Sequence, residues 1–145
     1  MVKVELSTEL LPLRIVGCLV CCKGRILLLK RQEGKRHAGY WGAAAGKIDG
    51  GEETPKAMVR ELFEETGIIV NEKDLKLEHV FNVDQGDQRF TYNYFSLNLG
   101  KEPVIILSPK EHSEYKFFNK EELADLLMVP GELECMTYTL DHQNK

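Results

Sequence analysis

Residues 60 to 65 read Arg-Glu-Leu-Phe-Glu-Glu. On a helix of 3.6 residues per turn, Glu61 neighbours both Glu64 and Glu65, because side chains three and four positions apart share a face. Like charges at that spacing cost about 0.2–0.5 kcal/mol per pair. A cluster kept together against that repulsion suits a hard divalent cation such as magnesium, which takes oxygen ligands, retains some waters and is commonly shared between a few carboxylates and substrate phosphates. Arg60 reaches Glu64 at i, i+4, where it can orient a carboxylate or simply relieve the local charge. The bland alternative is a solvated acidic surface, since Glu is a good helix former and most such faces are merely wet.

The elements that must position these carboxylates can be read on either side of them. Thr54 is a good N-cap and Pro55 suits the first helical position, which predicts a helix from there to Thr66, ended by Gly67. Met58, Val59, Leu62 and Phe63 are expected on its buried side, with Glu61, Glu64 and Glu65 opposite. Before it, glycines at 46, 50 and 51 allow a tight turn that could aim a carbonyl at the same ion.

Along the rest of the chain, "LRIVGCLVC" (13–21) and "GRILLLKR" (24–31) read as strands joined by a hairpin at "CKG". "QEGKRHAGYWG" is a polar, glycine-punctuated loop. "LKLEHVFNVDQ" and "QRFTYNYFSLNL" have strand composition and flank the loop "DQGDQ". "SPKEHSEY" reads as a polar loop, "KFF" as a short strand, "KEELADLLM" as a short helix, and the tail from Pro130 as one more helix. Strands before, between and after helices argue for a mixed sheet with helices packed on it, a mixed α/β or α+β domain. A length of 145 residues fits one such domain spanning 1–145.

A net charge of -4 with 29% charged residues carries no basic excess, which argues against bulk nucleic-acid binding. The amino terminus lacks the pattern of a signal peptide, and the longest apolar runs fall far below the ~20 residues of a membrane span. A cytoplasmic location is therefore expected. Cys18 and Cys21 form a CxxC on a strand, where residues three apart point to opposite faces. Buried, reduced thiols are the expected state of all four cysteines.

Written with its gaps, the stretch is Gly46, five residues, Glu52, seven residues, then Arg60-Glu61-Leu62-Phe63-Glu64-Glu65-Thr66-Gly67-Ile68. It resembles a complete Nudix box, and the order of the surrounding elements is similar to that family over most of the chain. Ala45 stands where many relatives carry glycine, and Ala44 where proline is frequent. The resemblance implies an α/β/α sandwich and hydrolysis of a nucleoside diphosphate linked to another group X, with magnesium, or manganese in its place, as cofactor. It also implies Glu61, Glu64 and Glu65 as metal carboxylates, the Gly46 carbonyl as a further ligand, and Arg60 and Glu52 as supports. The base in such enzymes is either a box glutamate, Glu61 or Glu64 here, or a carboxylate on a late loop.

That late loop, "LSPKEHSEYKFF", offers Glu111 and Glu114 beside His112, with Glu111 favoured as auxiliary ligand or base. It is similar to the loop of diadenosine polyphosphate hydrolases, with one residue more between Ser108 and Glu111 and with Phe117 where tryptophan is common. Arg31, Lys35, Arg36 and Lys47 are candidate phosphate contacts. Trp41, Phe90, Tyr92 and Tyr94 are candidate stacking surfaces for a base, or core, while His37, His79 and His112 are too scattered to form a ligand set. The expected activity is magnesium-dependent pyrophosphate hydrolysis of a small nucleotide. The alternatives are a diadenosine polyphosphate hydrolase and a nucleotide sensor without turnover, the latter disfavoured by the intact glutamates; for mRNA decapping no basic strip is visible. Relatives of this kind are commonly homodimers.

Overall fold

The computed structural model describes residues 1–143. In chain order it contains β1 (Lys3–Leu6), β2 (Arg14–Cys22), β3 (Arg25–Arg31), β4 (Trp41–Gly42), β5 (Ala44–Lys47), α1 (Thr54–Thr66), β6 (Lys76–Asp84), β7 (Arg89–Leu99), β8 (His112–Asn119) and α2 (Glu132–His142). Two 3-10 segments, Glu72–Asp74 and Lys120–Asp125, interrupt the connections.

β2 is the hub of a mixed sheet. It runs parallel to β7 from Arg14 opposite Thr91 to Cys22 opposite Leu99. Its other edge is shared, with β5 antiparallel along Ile15–Cys18 and β3 antiparallel at Cys21 and Cys22. The hairpin to β3 turns through Lys23 and Gly24, both with positive φ (52° and 78°), the handedness that matches the twist of the flanking strands. The full path is β1-β6-β7-β2-β3-β4, with β8 joining β3.

Alternation along β2 separates two cores. Val16, Cys18, Val20 and Cys22 pack with Ala57, Met58 and Leu62 of α1 on one face. Ile15, Leu19 and Cys21 lie with Phe81, Tyr92, Tyr94 and, from α2, Cys135 and Met136 on the other. Each fully buried Leu or Met contributes roughly 1.5–3 kcal/mol of transfer free energy, so α1 and α2 are each anchored by one apolar stripe. The result is the expected sandwich, helix on each side of a mixed sheet. All four cysteines are free, with Cys18 and Cys21 on opposite faces. Burial pushes the Cys21 thiol up to about 11, and the Glu78 charge adds to it, so this thiol is inert at neutral pH.

Several expectations need correction. "KFF" is the end of an eight-residue strand, β8, which starts at His112 and takes Glu114 with it. Seven paired positions along β3 supply the hydrogen bonds that let these polar residues extend. "KEELADLLM" forms a 3-10 segment with a capping box between Asn119 and Glu122, and no α-helix. β1, unassigned from sequence, pairs with β6 from Lys3 opposite Asp84 to Leu6 opposite Phe81. Thr54 is the first helical residue and its hydroxyl accepts from Arg14; the cap position belongs to Glu53, whose side chain makes no cap bond. Gly67 ends α1 in the left-handed conformation, as expected.

Candidate functional site

The box helix is turned differently from its simplest helical reading. Its buried stripe runs through Ala57, Met58, Leu62, Glu65 and Thr66, whereas Phe63 is 55% exposed. Glu65 therefore sits on the packed side, 7% exposed, and its Oε1 accepts the Ala45 N–H of β5 at 2.9 Å. Burial pushes Glu65 up to about 8; the Ala45 bond opposes this, while the Glu61 and Glu111 charges add to it.

Gly46 is part of β5 and its φ is ordinary, so the turn is not what requires a glycine there. The reason is room: a Cβ at Gly46 would stand 2.1 Å from Cδ of Glu61. The Glu61 carboxylate thus lies against the β5 backbone. Arg60 stands behind it, donating from Nη1 to Glu61 (2.8 Å), from Nε and Nη2 to Glu52 (both 2.9 Å), and from Nη2 to the Lys47 carbonyl (3.1 Å). One guanidinium thereby ties the loop after β5 to α1. Burial raises the Glu61 carboxyl above its ordinary range, and Arg60 pulls it back.

These groups open on a cavity of about 590 Å3. Of the residues singled out from sequence, Gly46, Glu61, Glu65, Glu111, Arg31, Lys35, Arg36 and Lys47 line it. Glu64 does not: its side chain is 53% exposed and is held by Arg60 at 3.2 Å. Lys35 pairs with Glu111 (3.3 Å), and Arg36 pairs with Asp87 and donates to Gln85 (3.1 Å). His37 and His112, expected to be scattered, line the same cavity, while His79 packs against Tyr138 elsewhere. Burial, then Arg31, push His112 down to about 4, which keeps it neutral at physiological pH. Of the aromatic candidates, Phe90 and Tyr92 reach the cavity. Trp41 packs edge-on against Phe118, and Tyr94 is core.

Sequence reasoning missed Glu132. The first residue of α2, it lines the same cavity 5% exposed, its Oε1 accepting the Ala43 N–H (3.1 Å) and the Tyr92 hydroxyl (3.0 Å). The only signal was a carboxylate just after Pro130-Gly131, where a helix start favours negative charge.

Fold and site together define a sandwich whose carboxylate-bearing helix and basic side chains face one cavity of about 590 Å3. A NUDIX domain model matches residues 11–138, and the chain belongs to the Nudix family. It is a Nudix pyrophosphohydrolase. An uncharacterised Nudix hydrolase of Bacillus subtilis, YvcI, is 25% identical over 131 residues, covering 90% of this chain and 80% of that protein. An uncharacterised Nudix hydrolase of Listeria monocytogenes, lmo0368, is 30% identical over 130 residues, covering 88% and 75%. Among solved structures, a MutT protein from Methanosarcina mazei superposes with a TM-score of 0.76 at 26% identity, covering 92% of this chain and 95% of that one.

Nudix enzymes generally use divalent metal ions, and the donors here suit one. The carboxylates of Glu61, Glu65 and Glu111 are hard oxygen groups, and a cation near them would offset the repulsion that Glu61 and Glu111 add to burial in raising Glu65. Among the described residues no three His, Cys, Asp or Glu side chains converge closely enough to enclose an ion by themselves. Protein oxygens would supply part of an ion's shell, with water and substrate phosphate completing it.

The glycine against Glu61 makes a test of this geometry. Gly46→Ala is expected to leave the fold intact, since the methyl meets the free end of a flexible side chain, and to displace the Glu61 carboxylate. Activity should fall about 10- to 100-fold, the usual effect of disturbing a group that orients ligands. Circular dichroism melts beside steady-state rates check both halves; an unchanged rate would show that the Glu61 position is not critical.

Proposed function

We propose that this chain acts as one domain over residues 1–145 and, with magnesium, hydrolyses one phosphoanhydride bond of a small nucleotide in which a nucleoside diphosphate carries a further group X, such as a nucleoside triphosphate or nucleotide sugar. The observation that carries this reading is the joining in one cavity of Glu61, Glu65 and Glu111 with Arg31, Arg36 and Lys47. Such a wall could hold a cation together with the phosphates of a nucleotide. A bound magnesium ion would neutralise phosphate oxygens and acidify water. Glu61 and Glu65 are suited to hold it, with Gly46 against Glu61 and Glu64 on the outer side.

Arg60 fixes Glu61 through its bonds to Glu52 and the Lys47 carbonyl, so the carboxylate is oriented before substrate arrives. Arg31 and Arg36 offer planar forks to phosphate oxygens, and Lys47 a point charge. Glu111 stands on the same cavity, paired with Lys35 at 3.3 Å, and can take the proton of the attacking water. Incubation with magnesium and a panel of nucleoside triphosphates, nucleotide sugars and dinucleoside polyphosphates, read by phosphorus NMR, tests the reading. Turnover that chelation abolishes supports it; binding without turnover on any member would make the chain a sensor.

The late loop favours a second reading. Because Glu111 and His112 both reach the cavity, a dinucleoside polyphosphate is a candidate substrate, and its hydrolysis would appear as a mononucleotide paired with a longer phosphate ester.

A further inference from the structure

The loop between β3 and β4, residues 32–40, is a strap tied at its neck and on both sides. The neck is closed by the Arg31 N–H on the Tyr40 carbonyl and the Gly39 N–H on the Arg31 carbonyl, both 2.9 Å. On one side Gln32 donates from Nε2 to the Pro109 carbonyl (3.0 Å) and from its backbone N–H to the Glu111 carbonyl (2.9 Å). On the other, Arg36 reaches the turn between β6 and β7. Lys35, Arg36 and His37 of this strap line the cavity.

Both cations of the strap are engaged by carboxylates, Lys35 by Glu111 at 3.3 Å and Arg36 by Asp87. Arg36 uses one nitrogen, Nη2, for Asp87 and for Gln85 Oε1 (3.1 Å) together. That nitrogen belongs to both bidentate forks of a guanidinium, Nε with Nη2 and Nη1 with Nη2, so two acceptors on its two hydrogens leave neither fork whole for a phosphate. The two acceptors differ in how readily they let go. Gln85 is fixed, its N–H closing the turn onto the Gln88 carbonyl (2.8 Å) and its Nε2 donating to the Pro130 carbonyl (3.1 Å). The Asp87 side chain is 66% exposed, with Arg36 its one salt-bridge partner among the described residues, and exposed pairs of this kind are weak. A polyphosphate carries more charge than Asp87 and can displace it. Cleavage divides the phosphates between two fragments, and each fragment competes less well.

We propose that Asp87 is a latch on Arg36: it yields the fork to the phosphate chain of the substrate and reclaims it from the shorter product, which speeds product release. Asp87 acts through Arg36 and is a positioning residue. The latch rests on the reading above, in which phosphates meet the basic wall of the cavity.

The test uses the whole chain with magnesium and measures calorimetric Kd for AMP, CMP, GMP, UMP and inorganic pyrophosphate. Asp87→Asn keeps an oxygen in the same place and removes its charge. The compounds that bind the wild type should bind this variant roughly 2- to 5-fold tighter, the worth of an exposed ion pair, and product inhibition of triphosphate hydrolysis should deepen by the same factor. Asp87→Glu keeps the charge and should bind them as the wild type does. In an Arg36→Gln background Asp87→Asn should change nothing, since the fork it contends for is gone. Unchanged or weaker binding by Asp87→Asn overturns the latch, as does wild-type protein that binds none of the five. Equal tightening in the Arg36→Gln background overturns it too, for Asp87 would then be a general repelling charge. Tighter binding with no hydrolysis of any triphosphate would uphold the contest for Arg36 and sink the hydrolase reading, whereas hydrolysis with phosphate binding untouched by Asp87→Asn would do the reverse.

Discussion

Glu61→Gln is expected to lower kcat/KM by about 10^2- to 10^4-fold, the range over which a positioned carboxylate contributes to such chemistry, with little change in melting temperature. The substitution keeps the side chain's length and shape, so its fit against Gly46 survives. Arg60 retains both bonds to Glu52 and its contact with Glu64, which preserves the tie between loop and helix. What disappears is one negative charge beside Glu65 and Glu111, in the half-buried place where a cation would be held. Loss there should appear first as a weaker response to magnesium, so rates measured from low to saturating magnesium separate the two roles of the residue. A rate that returns at high magnesium assigns Glu61 to ion binding; one that stays low assigns it to the reaction itself. An undiminished rate at every concentration would remove Glu61 from the site.

Much of this site is written in local sequence. The spacing from Gly46 to Ile68 located the box, Gly67 located the end of α1, and the apolar runs located β2, β3, β6 and β7. Those signals are local because caps, turn glycines and alternation act within one element. The failures concern what one element does to another. Phe63 is as apolar as Leu62, yet only the stripe facing β5 is buried, so Glu65 entered the packed side and Phe63 left it. The role of Gly46 depends on a carboxylate fifteen positions later, and the hydrogen bonds of Glu132 come from Ala43, between β4 and β5, and from Tyr92 of β7. β8 was hidden because His112-Ser113-Glu114-Tyr115 lacks strand composition and is held extended by β3. Long-range pairing of this kind leaves little trace in a single sequence.

Gly17→Ala should be strongly destabilising, by about 2–5 kcal/mol, from overpacking and from a lost hydrogen bond to a buried carboxylate. The sign is opposite to the general rule, since Ala in a strand interior ordinarily stabilises relative to Gly by about 0.5–1 kcal/mol. Gly17 lies within β2, between Ala45 of β5 and Tyr94 of β7. A Cβ there would fall 2.4 Å from Cε1 and 2.5 Å from Cζ of Tyr92, and closer still to its hydroxyl. That ring cannot swing aside freely, because it is buried and packs edge-to-face with Phe90 and Tyr94 at centroid distances of 5.7 and 5.2 Å. Its movement would also withdraw the hydroxyl from Glu132. Chemical denaturation gives the cost directly, and a melting temperature lower by roughly 5–15 °C is the corresponding thermal signal. The cause is isolated by repeating the change in a Tyr92→Leu background, where Cε1, Cζ and the hydroxyl are gone. If the ring is the obstacle, alanine at position 17 becomes nearly neutral there, and the two substitutions show a coupling of the size expected for residues in contact. Equal costs in the two backgrounds would mean that Tyr92 is not what reserves this position for glycine.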